Sequence, residues 1–133
     1  MLLTTLLIAA LAISGFLWLD IRYAPQVEAL QLLADIDRGA APTVLDVRSD
    51  WEYRQGHVPG ALHAPFWSLS ALLALPAPKQ QPMVIYCELG PRASWAKWVL
   101  RLRGYQQVAF LTGQMYGWRQ QGLRMEITNE AQR

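Results

Sequence analysis

The chain carries one cysteine and two histidines in 133 residues, a scarcity that excludes two kinds of architecture. A single thiol closes no intramolecular disulfide, so the fold must rest on a hydrophobic core, and cysteine usage leaves the compartment open. Two histidines and one cysteine without ligand spacing argue against a metal site, and no pattern calls for a cofactor. Charge is the second shortage. No Lys, Arg, Asp or Glu precedes Asp20, and the 12 basic and 10 acidic residues nearly cancel to a formal +2. That balance gives no basic footprint of the kind nucleic acid requires, so no such partner is expected. Internal repeats and low-complexity tracts are missing as well.

What occupies the uncharged amino terminus is a hydrophobic run. From Leu2 to Leu19 the polar interruptions are Thr4, Thr5, Ser14 and Gly15, and at about 1.5 Å per residue the run spans roughly 27 Å, close to the roughly 30 Å of bilayer hydrocarbon. Trp18 falls where an interface is expected, with Asp20 and Arg22 in water. The pattern predicts an anchor over residues 1–22 that meets the membrane through residues 2–19. A cleaved signal peptide is the alternative, with Ala10-Leu-Ala12 as a cleavage site, but its basic leader is missing. Arg22 is the only basic residue close to the span. It leans towards a cytoplasmic domain and leaves the periplasmic or extracytoplasmic side open.

From Ala24 onward helical and strand patterns alternate, which predicts an α/β domain on a mostly parallel sheet over residues 24–123, then a tail over 124–133. A helical run opens at Pro25 and closes at Gly39, and Thr43 to Val47 reads as a strand. Ser49 or Asp50 caps a short helix with Glu52 in its first turn. The turn Gly56-His-Val-Pro-Gly60 leads to a brief strand near Ala61 to His63. Helices are expected over Phe66 to Leu75, Arg92 to Arg103 and Gly113 to Gln121, and strands over Met83 to Cys87 and Val108 to Leu111. Asp46, Cys87 and Thr112 thereby fall at the carboxyl ends of strands, where ligands collect in open parallel sheets.

Cys87 is the residue around which chemistry gathers. A buried strand delivers it to the segment Glu88, Leu89, Gly90, Pro91 and Arg92, which must bend before the next helix begins. If Gly90 lets this loop curl, its amides point at the sulfur, the helix dipole adds positive potential, and Arg92 supplies a full charge. All three favour thiolate, the nucleophilic form. The bland alternative is a small buried hydrophobe, but a polar Gly-Pro loop is a poor way to fill a core. Lys97, Arg101 and Arg103 further along the helix read as a solvated face. Trp95 and Trp98, three apart, share a face for core or lip packing, with Trp67 or Trp95 as an alternative partner patch, and Trp51 and Trp67 are expected near the site entrance.

Leu45-Asp-Val-Arg48, Glu52, Gly56-His-Val-Pro-Gly-Ala61, Val84-Ile-Tyr-Cys87 and Leu111-Thr-Gly113 with Trp118 together resemble a single-domain rhodanese, over roughly residues 24 to 123. The resemblance implies a five-stranded parallel sheet flanked by helices, and Cys87 as the residue that takes up sulfane sulfur. It implies a small sulfane-sulfur donor, such as thiosulfate or a persulfide, and cyanide, a thiol or a protein as acceptor. Asp46 and Arg48 are then scaffold residues. His57 is a supporting residue, expected to hydrogen-bond backbone, since a thiolate needs no proton removed by a neighbour. Phosphatases that share this fold hold phosphate in a loop one residue longer, so sulfur transfer is favoured over phosphoester hydrolysis. A non-catalytic docking module at the membrane is the competing reading. Two positions depart from the family: Glu88, whose carboxylate would repel an anionic donor unless it points away, and Gln114, where the family's usual second glycine is replaced.

Overall fold

The computed structural model describes residues 1–128; the part of the expected tail beyond Thr128 lies outside them. Five parallel strands form one sheet in the order β1-β5-β4-β2-β3: β1 (Gln26–Val27), β2 (Thr43–Asp46), β3 (Leu62–His63), β4 (Met83–Tyr86) and β5 (Val108–Leu111). The helices are α1 (Leu2–Tyr23), α2 (Ala29–Asp37), α3 (Asp50–Gln55), α4 (Leu69–Leu73), α5 (Pro91–Leu102) and α6 (Gln114–Gln120). The five-stranded parallel sheet flanked by helices is as expected.

The central strand explains the layering. All of β4 is buried, and its alternate residues point to opposite faces, as a covered parallel strand requires. Met83, Ile85 and Cys87 join a cluster with Ala93, Ala96, Leu100 and Phe110, while Val84 and Tyr86 pack with Leu32, Leu111 and Trp118. Cys87 thus belongs to the face covered by α5.

Two boundaries differ from expectation for local reasons. Residues 26 and 27 do not open the first helix but pair with Phe110 and Leu111 as an edge strand, too short to show a period. The helix expected over Phe66 to Leu75 contracts to α4, where the Ser68 hydroxyl accepts from the Ala71 N–H and sets the start.

The one described helix long and apolar enough to cross a membrane is α1. Its first 15 residues are exposed, but Leu17, Asp20, Ile21 and Ala24 turn a stripe at helical spacing towards the domain. Asp20, expected in water, accepts hydrogen bonds from the Ser94 hydroxyl and the Lys97 ammonium. Lys97, expected on a solvated face, is 4% exposed. The two errors share one cause, because each charge is buried against the other across α1 and α5.

Candidate active site

The loop after β4 starts from a fixed point. The Cys87 N–H donates to the Gln114 side-chain oxygen at 2.9 Å, and its carbonyl accepts from the Met115 N–H at 3.0 Å. Gln114, where a second glycine was the family's pattern, holds a left-handed φ of +57° and is 3% exposed. Its side-chain amide also donates to the Leu111 carbonyl, so the strained backbone places a clamp between β5 and Cys87. No sequence pattern signalled this role.

The loop then curls as anticipated, and the Gly90 N–H donates to Cys87 Sγ at 3.0 Å. Gly90 needs to be glycine twice over. Its φ is +127°, and a Cβ there would lie 2.6 Å from Ile21 Cδ1 of the apolar helix. Pro91 starts α5, where its missing N–H costs no helical bond. Leu89 projects to solvent at 57% exposure. The sulfur itself does not: Cys87 is 1% exposed, whereas a position open to a small substrate was expected.

Charges surround the loop in pairs. Arg92 makes a two-pronged contact with Glu52, at 2.8 and 2.9 Å. Glu52 also closes a capping box with Ser49 at the start of α3. The Arg92 fork, with burial opposing it and the Ser49 hydrogen bonds adding to it, brings the Glu52 carboxyl down to about 2. Conversely Glu52, with burial opposing and Cys87 contributing less, raises Arg92 above the ordinary guanidinium value. Glu88 pairs with Arg119 and, at 3.5 Å, with Arg48. Its carboxylate is therefore paired chiefly with Arg119, since Arg48 is already held by Asp46.

Asp46 and Arg48 form a deeper layer. Arg48 donates to both Asp46 oxygens and, at 2.7 Å, to the Gly56 carbonyl. Burial works against the Arg48 charge, but the Asp46 hydrogen bonds and charge outweigh it and hold the group above its usual value. Tyr86 donates its hydroxyl to Asp46 at 2.8 Å and accepts from the Val58 N–H; burial first and Asp46 second push its phenol well up. His57 faces this layer from the turn. Its Nδ1 lies 2.8 Å from the Tyr53 carbonyl, its ring stacks on Tyr53 at 3.7 Å, and its backbone bridges Glu126. Among the described residues no hydrogen bond joins His57 to Cys87.

An open cleft of about 370 Å³ lies outside this wall, with Trp51, Glu52, Glu88, Arg48 and Arg119 in its lining. Trp67 packs edge-on against Phe66, which lines an apolar groove together with Leu17, Pro91, Arg92 and Trp95. Among the described residues no cluster of His, Cys, Asp or Glu is arranged to hold a metal.

A parallel α/β sheet with a cysteine directly after its central strand, a tight loop whose Gly90 amide meets the sulfur, and a paired arginine defines a class of thiol-loop α/β domains. The comparisons narrow it: residues 28–121 match the model of the rhodanese-like domain, and the chain belongs to that family. A sulfurtransferase of Allochromatium vinosum is 34% identical over 80 residues, covering 60% of this chain and 74% of that protein. The thiosulfate sulfurtransferase PspE of Escherichia coli is 33% identical over 81 residues, covering 60% of this chain and 78% of its own. The structure of a human single-domain sulfurtransferase, TSTD1, superposes with a TM-score of 0.63 at 26% identity, over 73% of this chain and 96% of that one. The family and its sulfurtransferase relatives are thus established at the level of the domain.

Proposed function

We propose that the protein is a rhodanese-type sulfurtransferase that carries sulfane sulfur as a Cys87 persulfide, held to a membrane by α1. The observation that carries this reading is the Gly90 N–H aimed at Cys87 Sγ, 3.0 Å away, in a loop closed by Arg92. In the first half-reaction the thiolate attacks the outer sulfur of thiosulfate or of a persulfide. The donor's sulfur–sulfur bond breaks, and sulfite or a thiolate leaves with the electron pair. In the second, cyanide, a thiol or a protein thiolate attacks the outer sulfur of the Cys87 persulfide, and the Cys87 thiolate leaves. The inward Gly90 amide and Arg92 stabilise the anion present in both states.

Donor preference follows from the charges. Arg48, Arg92 and Arg119 are matched by Asp46, Glu52 and Glu88, so the wall offers a dianion no surplus of positive charge. A persulfide is therefore the favoured donor over thiosulfate. The second reading, a docking module without turnover, draws its support from the 1% exposure of Cys87.

Intact mass of the full chain, after incubation with thiosulfate or with glutathione persulfide, decides between them. A gain of roughly one sulfur, about 32 Da, removed by cyanide and absent in Cys87→Ser, is the expected result for covalent catalysis. No adduct with either donor would sink the enzyme reading in favour of the docking module.

A further inference from the structure

We propose that the aromatic face made by Phe66, Trp67, Trp95 and Trp98 is seated on the lipid–water boundary of an anionic bilayer, holding the Cys87 loop at headgroup level. This rests on the reading of α1 as an anchor. The register between α1 and α5 is what carries it. Ile21 lies on Gly90, Asp20 on Ser94 and Lys97, and the Phe16 ring stands 5.8 Å from that of Trp98. Leu17 shares an apolar groove of about 270 Å³ with Phe66, Pro91, Arg92 and Trp95. The contacts run from Ile21 on Gly90, at the start of α5, to Phe16 on Trp98 two turns further along it, so the two helices pack side by side in opposite directions.

Phe16 precedes Ile21 by five residues, or about 7.5 Å along a helix axis. Trp95 and Trp98 come level with Phe16 to Trp18, where the uncharged run approaches its end. They are 50% and 39% exposed, and Trp67, against the Phe66 ring, is 58% exposed. Partly exposed indoles at that depth suit a boundary that is apolar on one side and wet on the other. The buried Asp20–Lys97 pair fixes the docking, so the domain does not swing freely below its anchor.

Charge points to lipid as the occupant of this face. Arg101 is exposed beside it, with its guanidinium 5.9 Å from the Trp98 ring centre, and Arg22 is exposed directly after Ile21. Their apolar stems can lie along the indoles while the charges reach phosphate. The continuous apolar surface from Phe16 to Trp98 then needs no protein to cover it. Gly90, level with Ile21, is held just beyond the boundary, so sulfur enters and leaves where membrane-bound or amphiphilic thiols are concentrated.

Full-length chain in phosphatidylcholine–phosphatidylglycerol vesicles with brominated acyl chains tests this through tryptophan fluorescence. In a Trp18→Phe background, quenching should persist, fall sharply when Trp95 and Trp98 are both changed to Phe, and stay unchanged with Trp51→Phe. Retention of the chain after alkaline carbonate washing, with no quenching left in Trp18→Phe, would overturn the seating while leaving the anchor intact. Release of the chain by the wash would overturn the anchor and the seating together. Equal quenching in purely phosphatidylcholine vesicles would overturn the anionic preference.

Discussion

On the α3 side of the Cys87 loop the contacts are ionic, running from Asp46 through Arg48 to Glu88 and Arg119, with Glu52 on Arg92. On the α1 side they are mainly apolar, with Ile21 on Gly90 and Leu17 among Phe66, Pro91 and Trp95. The ionic side is built within the domain that the family match covers, and its charges meet partners brought together by the sheet. The apolar side is completed by residues that precede that match. A helix that supplies packing to the Cys87 loop is part of the folded unit, and cutting it away changes the loop.

The largest effect should come from the single buried charge pair on the α1 side. Asp20 and Lys97 have side chains 10% and 5% exposed, so Asp20→Ala leaves an ammonium in the core with the Trp98 and Phe110 rings around it. Removing one partner of a buried pair typically costs about 3 kcal/mol or more. Thermal unfolding of the full chain in detergent should show a large loss for Asp20→Ala and recovery in Asp20→Ala with Lys97→Met. A fragment beginning at Ala24 should resemble Asp20→Ala. If that fragment melted like the full chain, α1 would be a tether and the comparison would fail.

Gly90 sharpens the contrast, because it meets Ile21 on the α1 side while its N–H faces the Cys87 sulfur. Gly90→Ala meets Ile21 at 2.6 Å and forces a side chain into φ +127°. The backbone penalty alone is on the order of 1–3 kcal/mol, and displacement of Ile21 adds to it. The double variant Gly90→Ala, Ile21→Ala removes the collision but not the strain, so it should recover part of the loss in stability and little of the sulfur loading. Full recovery of loading would mean that the φ of Gly90 is not what aims its N–H at the sulfur.

How much was legible beforehand follows the same division. The motif residues announced the ionic side: Asp46, Arg48 and Glu52 could be placed at strand and helix ends from local pattern alone. The five-strand count came only through family resemblance, since Gln26–Val27 is too short to register as a strand. The α1 side was misread because burial of Asp20 and Lys97 depends on a contact 77 residues apart in sequence. Gln114 was noticed as a departure, but its clamp on Cys87 requires knowing that a left-handed backbone turns its side chain inward. Tertiary proximity creates both roles, and local periodicity is blind to it.

The smallest effect belongs to the exposed edge of the ionic side. The Glu52 carboxyl is held at about 2 in the fold against an ordinary 4.5, chiefly by Arg92. A depressed acid contributes stability that is fully present above its unfolded value and is lost as pH falls through the folded one. The Glu52 contribution should therefore be constant from neutrality to about pH 5 and fade between about 4.5 and 2. Its side chain is 22% exposed, so solvent screens the pair and the change should be modest. Glu52→Gln should flatten this part of the acid-unfolding profile while costing little more than about 1 kcal/mol at neutral pH. Because the α1 side holds the loop by apolar contact, the Gly90 geometry, and with it sulfur loading at pH 7, should survive Glu52→Gln better than it survives Ile21→Ala. The reverse ranking would show that Arg92, aligned by Glu52, and not the packing of α1, governs sulfur loading at Cys87.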